Sequence, residues 1–162
     1  MPEYIFNTTV LFNFSAADRI EILKTRYKEV AFTTVEVCDE LRRGVKAGYS
    51  YIDSALQQVK AVGSRGWLRI IAPDSASEHR LRSEFNEALG PGEASCLALA
   101  ISRRLTLVTD DLAARRLAED RMVTLTGTLG ILITLVRNET LSLKEANMML
   151  ADMIHRGYRI YQ

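Results

Sequence analysis

The chain has 162 residues, of which 48% are hydrophobic and 25% charged, with a formal net charge of +1. This length and composition predict one globular domain with its own core, spanning residues 1–162. The near-zero net charge gives no overall field that would favour nucleic acid or a membrane surface, although a local basic patch is compatible with it.

The cysteines and the apolar segments exclude further classes. Cys38 and Cys96 are far apart and form no CxxC pair, so we expect buried reduced thiols rather than a disulfide framework or a zinc site. The N-terminus lacks a basic stretch followed by an apolar core and a cleavage site. The longest uncharged run, Met122 to Val136, is too short to span a bilayer. We therefore expect a cytoplasmic protein with no membrane partner.

The N-terminal half predicts alternating strands and helices. Runs of β-branched and aromatic residues predict three strands: Tyr4–Phe14, Glu29–Phe32 and Trp67–Ile71. The third is expected near a sheet edge because Arg69 interrupts it. Helix starts are predicted where a hydroxyl residue precedes an acidic residue by three positions: Ser15/Asp18, Thr33/Glu36, Ser50/Asp53 and Ser75/Glu78. The second of these helices is expected to end at Gly44.

The C-terminal half continues the alternation. A largely buried helix is predicted after the turn Gly90–Gly92, followed by strands in "LTLVT" and "MVTLT". A nearly all-apolar helix follows Gly127. The last helix is predicted to begin at Ser142, with Glu145 completing its capping box, and to end near Gly157. Such alternation implies a mostly parallel sheet covered on both faces, in which ligands bind beyond the carboxyl ends of the strands.

Acidic and polar residues collect at those predicted strand ends. They are Asn7 in the first strand, Glu36, Asp39 and Glu40 on the next helix, Glu93 at a helix start, and Asp110 and Asp111 after the fourth strand. Oxygen ligands from several segments suit Mg²⁺ or Mn²⁺, which can activate water for attack on a phosphodiester.

Each of these residues also has a structural interpretation. Glu93 could favour the helix dipole, and Asp110 or Asp111 could cap the following helix. Glu40 could lie on a solvated face, and Asn7 could satisfy backbone groups at the strand end. Spacing does not decide among these alternatives. The chain lacks GxGxxG, GxxxxGK[ST] and GxSxG, so dinucleotide, P-loop and nucleophile-elbow sites lose their main support.

In order, the segments "NTTVLFNF", "VCDEL", "GEASCLALA", "TDDLAARRLA" and "VTLTGTLGIL" resemble the PIN-like nuclease superfamily. The resemblance extends from Tyr4 to Tyr158 and is closest to a prokaryotic branch with a GEA…TDD..AR…TGTLG pattern. It implies a three-layer α/β/α sandwich with a mostly parallel five-stranded sheet. It also implies a Mg²⁺- or Mn²⁺-dependent ribonuclease acting on RNA. Many prokaryotic members are toxins that an antitoxin protein inhibits, so an antitoxin is a candidate partner.

The resemblance also implies site residues. The four acidic positions of the family fall on Asn7, Glu40, Glu93 and Asp111, with Asp110 beside the last and Thr109 as the hydroxyl residue ahead of it. We expect Glu40, Glu93, Asp110 and Asp111 to be catalytic and Glu40, Glu93, Asp111 and Asn7 to bind the metal. The family's first aspartate is Asn7 here. A neutral amide brings no charge, so metal affinity should be lower.

The leading hypothesis is therefore a metal-dependent ribonuclease. RNA-backbone contacts are expected from basic residues near the acids, with surface solvation as the alternative: Arg42, Arg43, Arg115 and Arg116. Two other functions remain open. The chain could be a binding or regulatory module with a weakened site, or a metal-dependent phosphoesterase acting on small nucleotides. A homodimer is a further hypothesis, suggested by the apolar C-terminal segments.

Overall fold

A computed structural model describes residues 1–160 of the chain. Five short strands form a single sheet: β1 (Tyr4–Phe6), β2 (Ala31–Thr33), β3 (Arg69–Ile70), β4 (Thr106–Val108) and β5 (Leu125–Thr126). Their order is β3-β2-β1-β4-β5, and every pairing is parallel. This confirms the predicted parallel α/β fold and the position of the third strand at an edge.

Helices connect the strands within the described part of the chain. They are α1 (Thr8–Ala16), α2 (Ile22–Tyr27), α3 (Val35–Lys46), α4 (Asp53–Gln57), α5 (Ala76–Phe85), α6 (Pro91–Arg103), α7 (Leu112–Asp120), α8 (Thr128–Arg137) and α9 (Leu143–His155). A 3₁₀ turn, Ser50–Ile52, precedes α4. None of the helices within residues 1–160 is both long enough and apolar enough to cross a membrane.

The sheet order places the functional loops. From β1 the chain moves through β2 to β3 on one side of the sheet, and then crosses to β4 on the other side of β1. The loops that follow β1 and β4 therefore diverge at the switch point of the sheet, where α/β proteins form ligand crevices. Beneath this crevice Ile5, Phe6, Leu107 and Val108 are fully buried, so the strand ends are fixed by the core.

The predicted first strand is wrong beyond Phe6. Thr8 to Ala16 forms helix α1, in which Val10, Leu11 and Phe14 are buried. The Asn7 side chain starts this helix by accepting a hydrogen bond from the backbone N–H of Thr8 at 2.7 Å. Periodicity cannot distinguish a short apolar helix packed on a sheet from a buried strand, since both bury nearly every residue.

The predicted cap at Ser15 is also wrong. Ser15 lies inside α1, and Asp18 follows the helix with φ of 55°. The cap of α3 is Thr34 rather than Thr33, and α3 continues past Gly44 to Lys46. Thr33 belongs to β2, and its hydroxyl donates to the Phe6 carbonyl at 2.8 Å.

The remaining caps follow the sequence more closely. Ser75 and Ser142 accept from the backbone N–H groups of Glu78 and Glu145, as predicted. At Ser50 the predicted cap is wrong, because a 3₁₀ turn precedes α4 and Ile52 provides no side-chain cap.

Both cysteines are free and buried, as predicted. Burial raises the pKa of the Cys38 and Cys96 thiols. Both are therefore structural side chains rather than reactive thiols.

Candidate active site

The side chain of Asn7 joins the two loops at the switch point. Asn7 is fully buried, and its backbone N–H donates to the Val108 carbonyl at 2.9 Å. Its amide nitrogen donates to the Thr109 hydroxyl at 2.9 Å, while its amide oxygen caps α1. Asn7 thus has the structural role considered from the sequence, and it also lies at the centre of the predicted site.

Glu40 reaches this position from α3. One carboxylate oxygen accepts the backbone N–H of Gly92 at 2.8 Å, and the other accepts the Thr8 hydroxyl. A Cβ atom on residue 92 would lie 2.6 Å from the Glu40 carboxylate, so a larger residue there would displace this carboxylate. The start of α1 and the start of α6 therefore fix the Glu40 carboxylate between them.

Glu93 is half-buried in the first turn of α6, which begins after Gly90 with Pro91 in its first turn. Burial raises the pKa of Glu93, and the negative charges of Glu40 and Asp111 raise it further. Hydrogen bonding from its own backbone and from Asn7 acts in the opposite direction. Glu40, Glu93 and Asp111 are therefore electrostatic neighbours.

The two adjacent aspartates point to different places. Asp111 is the N-cap of α7: its carboxylate accepts the backbone N–H of Ala114 at 2.8 Å, and its own N–H donates to the Thr109 hydroxyl at 3.1 Å. Besides burial, the negative charge of Asp111 raises the pKa of Glu93. Asp111 thus has the capping role that the sequence left open, and its site role stays a prediction.

Asp110 is directed towards α8 instead. One carboxylate oxygen accepts the backbone N–H of Thr128 at 2.9 Å. The other accepts the Asn13 side-chain amide at 2.9 Å and the Thr128 hydroxyl. In this structure the Asp110 carboxylate therefore binds the loop after β4 to the start of α8 and to α1.

The donors at this site are oxygen atoms, which suit Mg²⁺ or Mn²⁺. Within residues 1–160, no three or more His, Cys, Asp or Glu side chains lie close enough together to form a metal-binding group by themselves. Glu40, Glu93 and Asp111 are near enough for repulsion to raise the pKa of Glu93, although they are not packed as a ligand cluster. A divalent cation would relieve that repulsion, so the residues fit such an ion chemically.

The predicted RNA-binding arginines fall into two groups. Arg42, Arg43 and Arg116 are exposed, and Arg42 lies 3.3 Å from Asp39 on the same helix. Arg115 is half-buried and donates to the Thr109 carbonyl at 2.9 Å. Arg115 therefore supports the loop that carries Asp110 and Asp111.

A pocket of about 370 Å³ opens beside these aspartates. Its walls come from α1, the start of α7 and the C-terminal segment: Thr8, Thr9, Phe12, Asn13, Asp110, Asp111, Leu112, Ala113, Gly157, Tyr158 and Arg159. Burial raises the pKa of Tyr158 to about 12; the charge of Asp110 raises it too, and Arg115 opposes both.

The parts of this pocket that α1 and the C-terminal segment contribute were not predicted from the sequence. Asn13 was included in a predicted strand, where its polarity has no meaning. In a helix that starts at Asn7, the polar residues Thr8, Thr9 and Asn13 within an apolar run would have indicated a polar face. Tyr158 and Arg159 carry no local signal, because their position depends on how α9 packs.

Comparisons with known proteins agree with this fold. A protein-family model described as a PIN domain matches residues 3–162. No curated protein matches the chain significantly. Among solved structures, PAE2754 from Pyrobaculum aerophilum is similar, with a TM-score of 0.55 and 16% sequence identity over 84% of this chain and 98% of the other. At that identity the similarity shows the fold alone.

PIN domains are generally nucleases, which typically depend on divalent metal ions and act on RNA. The family match spans nearly the whole chain, and the fold is consistent with it. We conclude that this chain belongs to the PIN-domain family.

Proposed function

We propose that this protein is a divalent-metal-dependent ribonuclease that hydrolyses phosphodiester bonds in RNA. The observation that carries the proposal is the convergence of carboxylates at the switch point of the sheet: oxygens of Glu93 and Glu40 lie 2.8 and 3.8 Å from the place a Cβ atom would take on Gly90, and the charge of Asp111 acts on Glu93. Carboxylates that repel one another at a ligand crevice form a site where a divalent cation is stabilising.

Each residue has a defined task in this proposal. Glu40, Glu93 and Asp111 would hold Mg²⁺ or Mn²⁺, with Asn7 assisting. When bound, such an ion lowers the pKa of water and neutralises charge on the phosphate. Thr109 orients the site, because its hydroxyl accepts from both Asn7 and Asp111.

The remaining residues support the site or contact the RNA and do not bind the metal ion. Thr8 and Gly92 hold the Glu40 carboxylate in place. Asp110, predicted to be catalytic, acts here as a positioning residue through Thr128 and Asn13. The exposed arginines Arg42, Arg43 and Arg116 are available to RNA phosphates.

The matched test uses two glutamates on α3. Glu40→Gln removes a charge from the site, whereas Glu36→Gln, four residues earlier, removes a partly exposed ion pair with Arg82 at 3.4 Å. We expect the wild type and Glu36→Gln to cleave single-stranded RNA with Mn²⁺, and we expect this cleavage to stop when EDTA is added. Glu40→Gln should lose about 10²–10³-fold in rate. Equal rates for the two variants, or cleavage that survives EDTA, would contradict the proposal.

Substrate panels and melting curves separate the two other functions. A phosphoesterase would be stabilised by Mn²⁺ and would hydrolyse small nucleotides in preference to RNA. A binding or regulatory module would show neither stabilisation by Mn²⁺ nor hydrolysis.

The proposal extends to a toxin that acts in the cytoplasm and is inhibited by an antitoxin protein. Induced expression of the wild type is then expected to arrest bacterial growth, and Glu40→Gln is expected not to. Growth arrest by both variants, or by neither, would remove the toxin role.

A homodimer is proposed from the apolar surface of α8 and α9. Ile133, Leu143, Met148 and Ile154 are between 47% and 65% exposed. A groove of about 310 Å³ lies between the two helices. Exposed apolar surface of this kind favours association. Light scattering that finds only monomer at high concentration would contradict the dimer.

A further inference from the structure

An aromatic and basic surface continues from the pocket beside the acidic site. We define this aromatic surface by Phe12, Tyr49, Tyr51 and Arg156. The ring centroid of Phe12 lies 5.9 Å from that of Tyr49 and 5.7 Å from that of Tyr51, and the two tyrosine rings are 6.1 Å apart. Phe12 also lines the pocket next to Asp111, so the surface and the site share a side chain.

Positive charge is interleaved with these rings. The guanidinium carbon of Arg156 lies 4.5 Å from the ring centroid of Tyr51, a cation–π contact. Arg159, three residues further on, lines the same pocket as Phe12. Arg156 and Arg159 are both exposed. The cations are therefore accessible to a phosphate backbone.

Core packing accounts for only part of this surface. Phe12 and Tyr51 are partly buried and pack against the core, but Tyr49 is 51% exposed. The three rings come from α1 and from the segment around the 3₁₀ turn, and the cations come from the end of α9 and the segment after it. Separate parts of the chain thus bring aromatic and basic groups together at the edge of the pocket.

We propose that the aromatic surface binds single-stranded RNA. A base stacks on Tyr49, and Arg156, which lies over the Tyr51 ring, contacts the phosphates together with Arg159 as the strand continues from the acidic site. Proteins that bind single strands combine aromatic side chains, on which any base can stack, with cations that contact the phosphates. Paired bases in a duplex are not available for such stacking. The inference rests on the proposed ribonuclease function for the direction in which the strand runs.

The test measures binding of a fluorescent single-stranded RNA oligomer by anisotropy, with Ca²⁺ in place of Mn²⁺. Tyr49→Ala is expected to raise the Kd about tenfold, in line with the loss of one stacked base, while Tyr49→Phe should bind like the wild type. Met122→Ala, which removes another exposed side chain (93% exposed), should also bind like the wild type. A duplex of the same sequence should show no difference between Tyr49→Ala and the wild type.

A second variant keeps the test informative if Tyr49→Ala does not fold. Arg156→Gln should weaken single-strand binding and reduce the slope of log K against log salt by about 0.7, the value for one phosphate contact to a single strand. Melting curves of each variant show whether it is folded.

The outcomes separate this inference from the proposed function. If the wild type cleaves RNA and neither Tyr49→Ala nor Arg156→Gln changes its binding, the aromatic surface is not an RNA site and the ribonuclease stands. If both variants lose single-strand binding and the wild type cleaves nothing with Mn²⁺, the aromatic surface stands and the ribonuclease falls. A wild type that binds no single-stranded RNA, or equal losses on duplex and single strand, would overturn the inference.

Discussion

Asp110 and Asp111 are adjacent in sequence, yet the same substitution should affect them in opposite ways. Asp110 accepts three hydrogen bonds, two from Thr128 and one from Asn13. In Asp110→Asn one of the two oxygens becomes a donor, so one bond is lost and the other two lose the assistance of a charge. A bond to a charged group contributes about 1.5–3 kcal/mol and a neutral one about 0.5–1.5 kcal/mol. We therefore expect a loss of about 2–4 kcal/mol in the free energy of unfolding.

For Asp111→Asn the expected loss of stability is small. Asparagine is as good an N-cap as aspartate, so the hydrogen bond from the Ala114 N–H is kept. Burial is the main cause of the raised pKa of Glu93, and removing the Asp111 charge relieves the repulsion that adds to it. Without metal we expect the free energy of unfolding to stay within about 0.5 kcal/mol of the wild type or to rise. The stabilisation by Mn²⁺ should disappear, because the charge that it neutralises is gone.

The assay is a pair of melting curves for each variant, with and without Mn²⁺. For a chain of this size, the change at Asp110 corresponds to a melting temperature lower by about 5–15 °C, and the response to Mn²⁺ should remain. The Asp111 variant should melt near the wild type and show no response. The opposite assignment, a stable Asp110→Asn without metal response and an unstable Asp111→Asn with one, would refute the reasoning.

Three further predictions use the same measurements. Asn7→Asp adds a charge to a fully buried position beside Glu93; it should lower metal-free stability by about 1–3 kcal/mol, tighten Mn²⁺ binding and raise RNA cleavage. Gly92→Ala places a Cβ atom 2.6 Å from the Glu40 carboxylate, so it should impair both stabilisation by Mn²⁺ and cleavage. Without metal, the free energy of unfolding should change by less than about 1 kcal/mol. Glu78 and Arg103 form a buried ion pair with 2.9 Å between a carboxylate oxygen and a guanidinium nitrogen. Glu78→Gln breaks this pair and should lower the free energy of unfolding by about 2 kcal/mol at pH 7.

The Glu78 prediction has a defined pH dependence. Hydrogen bonding from Arg103 holds the pKa of Glu78 well below its ordinary value of 4.5. Its contribution to stability is therefore present above pH 4.5 and is lost as the pH falls towards the folded-state pKa. Acid unfolding of Glu78→Gln should be less steep than that of the wild type in this range, and parallel curves would contradict the assignment.

The other two predictions also have contrary outcomes. For Asn7→Asp, equal shifts in melting temperature with and without Mn²⁺, and unchanged cleavage, would place residue 7 outside the site. For Gly92→Ala, an unchanged Mn²⁺ response would show that Glu40 can move without consequence.

Much of the fold was predictable from the sequence because the signals are local. The strands after Glu29, Trp67 and Leu105 and the caps at Ser75 and Ser142 follow from β-branched runs and from hydroxyl–acid pairs three residues apart. The alternation of these elements predicts a parallel sheet, and the structure confirms it. The first helix was not predictable from periodicity, because α1 buries an apolar run that looks like a strand.

By itself the sequence determined which residues are candidates for the site: Asn7, Asp110 and Asp111 next to strands, and Glu40 and Glu93 on helices. Only the tertiary structure decided what each carboxylate contacts. A hydrogen bond from Thr128 to Asp110 spans 18 residues, and the one from Gly92 to Glu40 spans 52 residues. Such contacts depend on how distant segments pack, since spacing along the chain constrains only neighbours within an element. For the same reason Tyr49, Tyr51 and Arg156 could not have been recognised as one surface before the chain was folded.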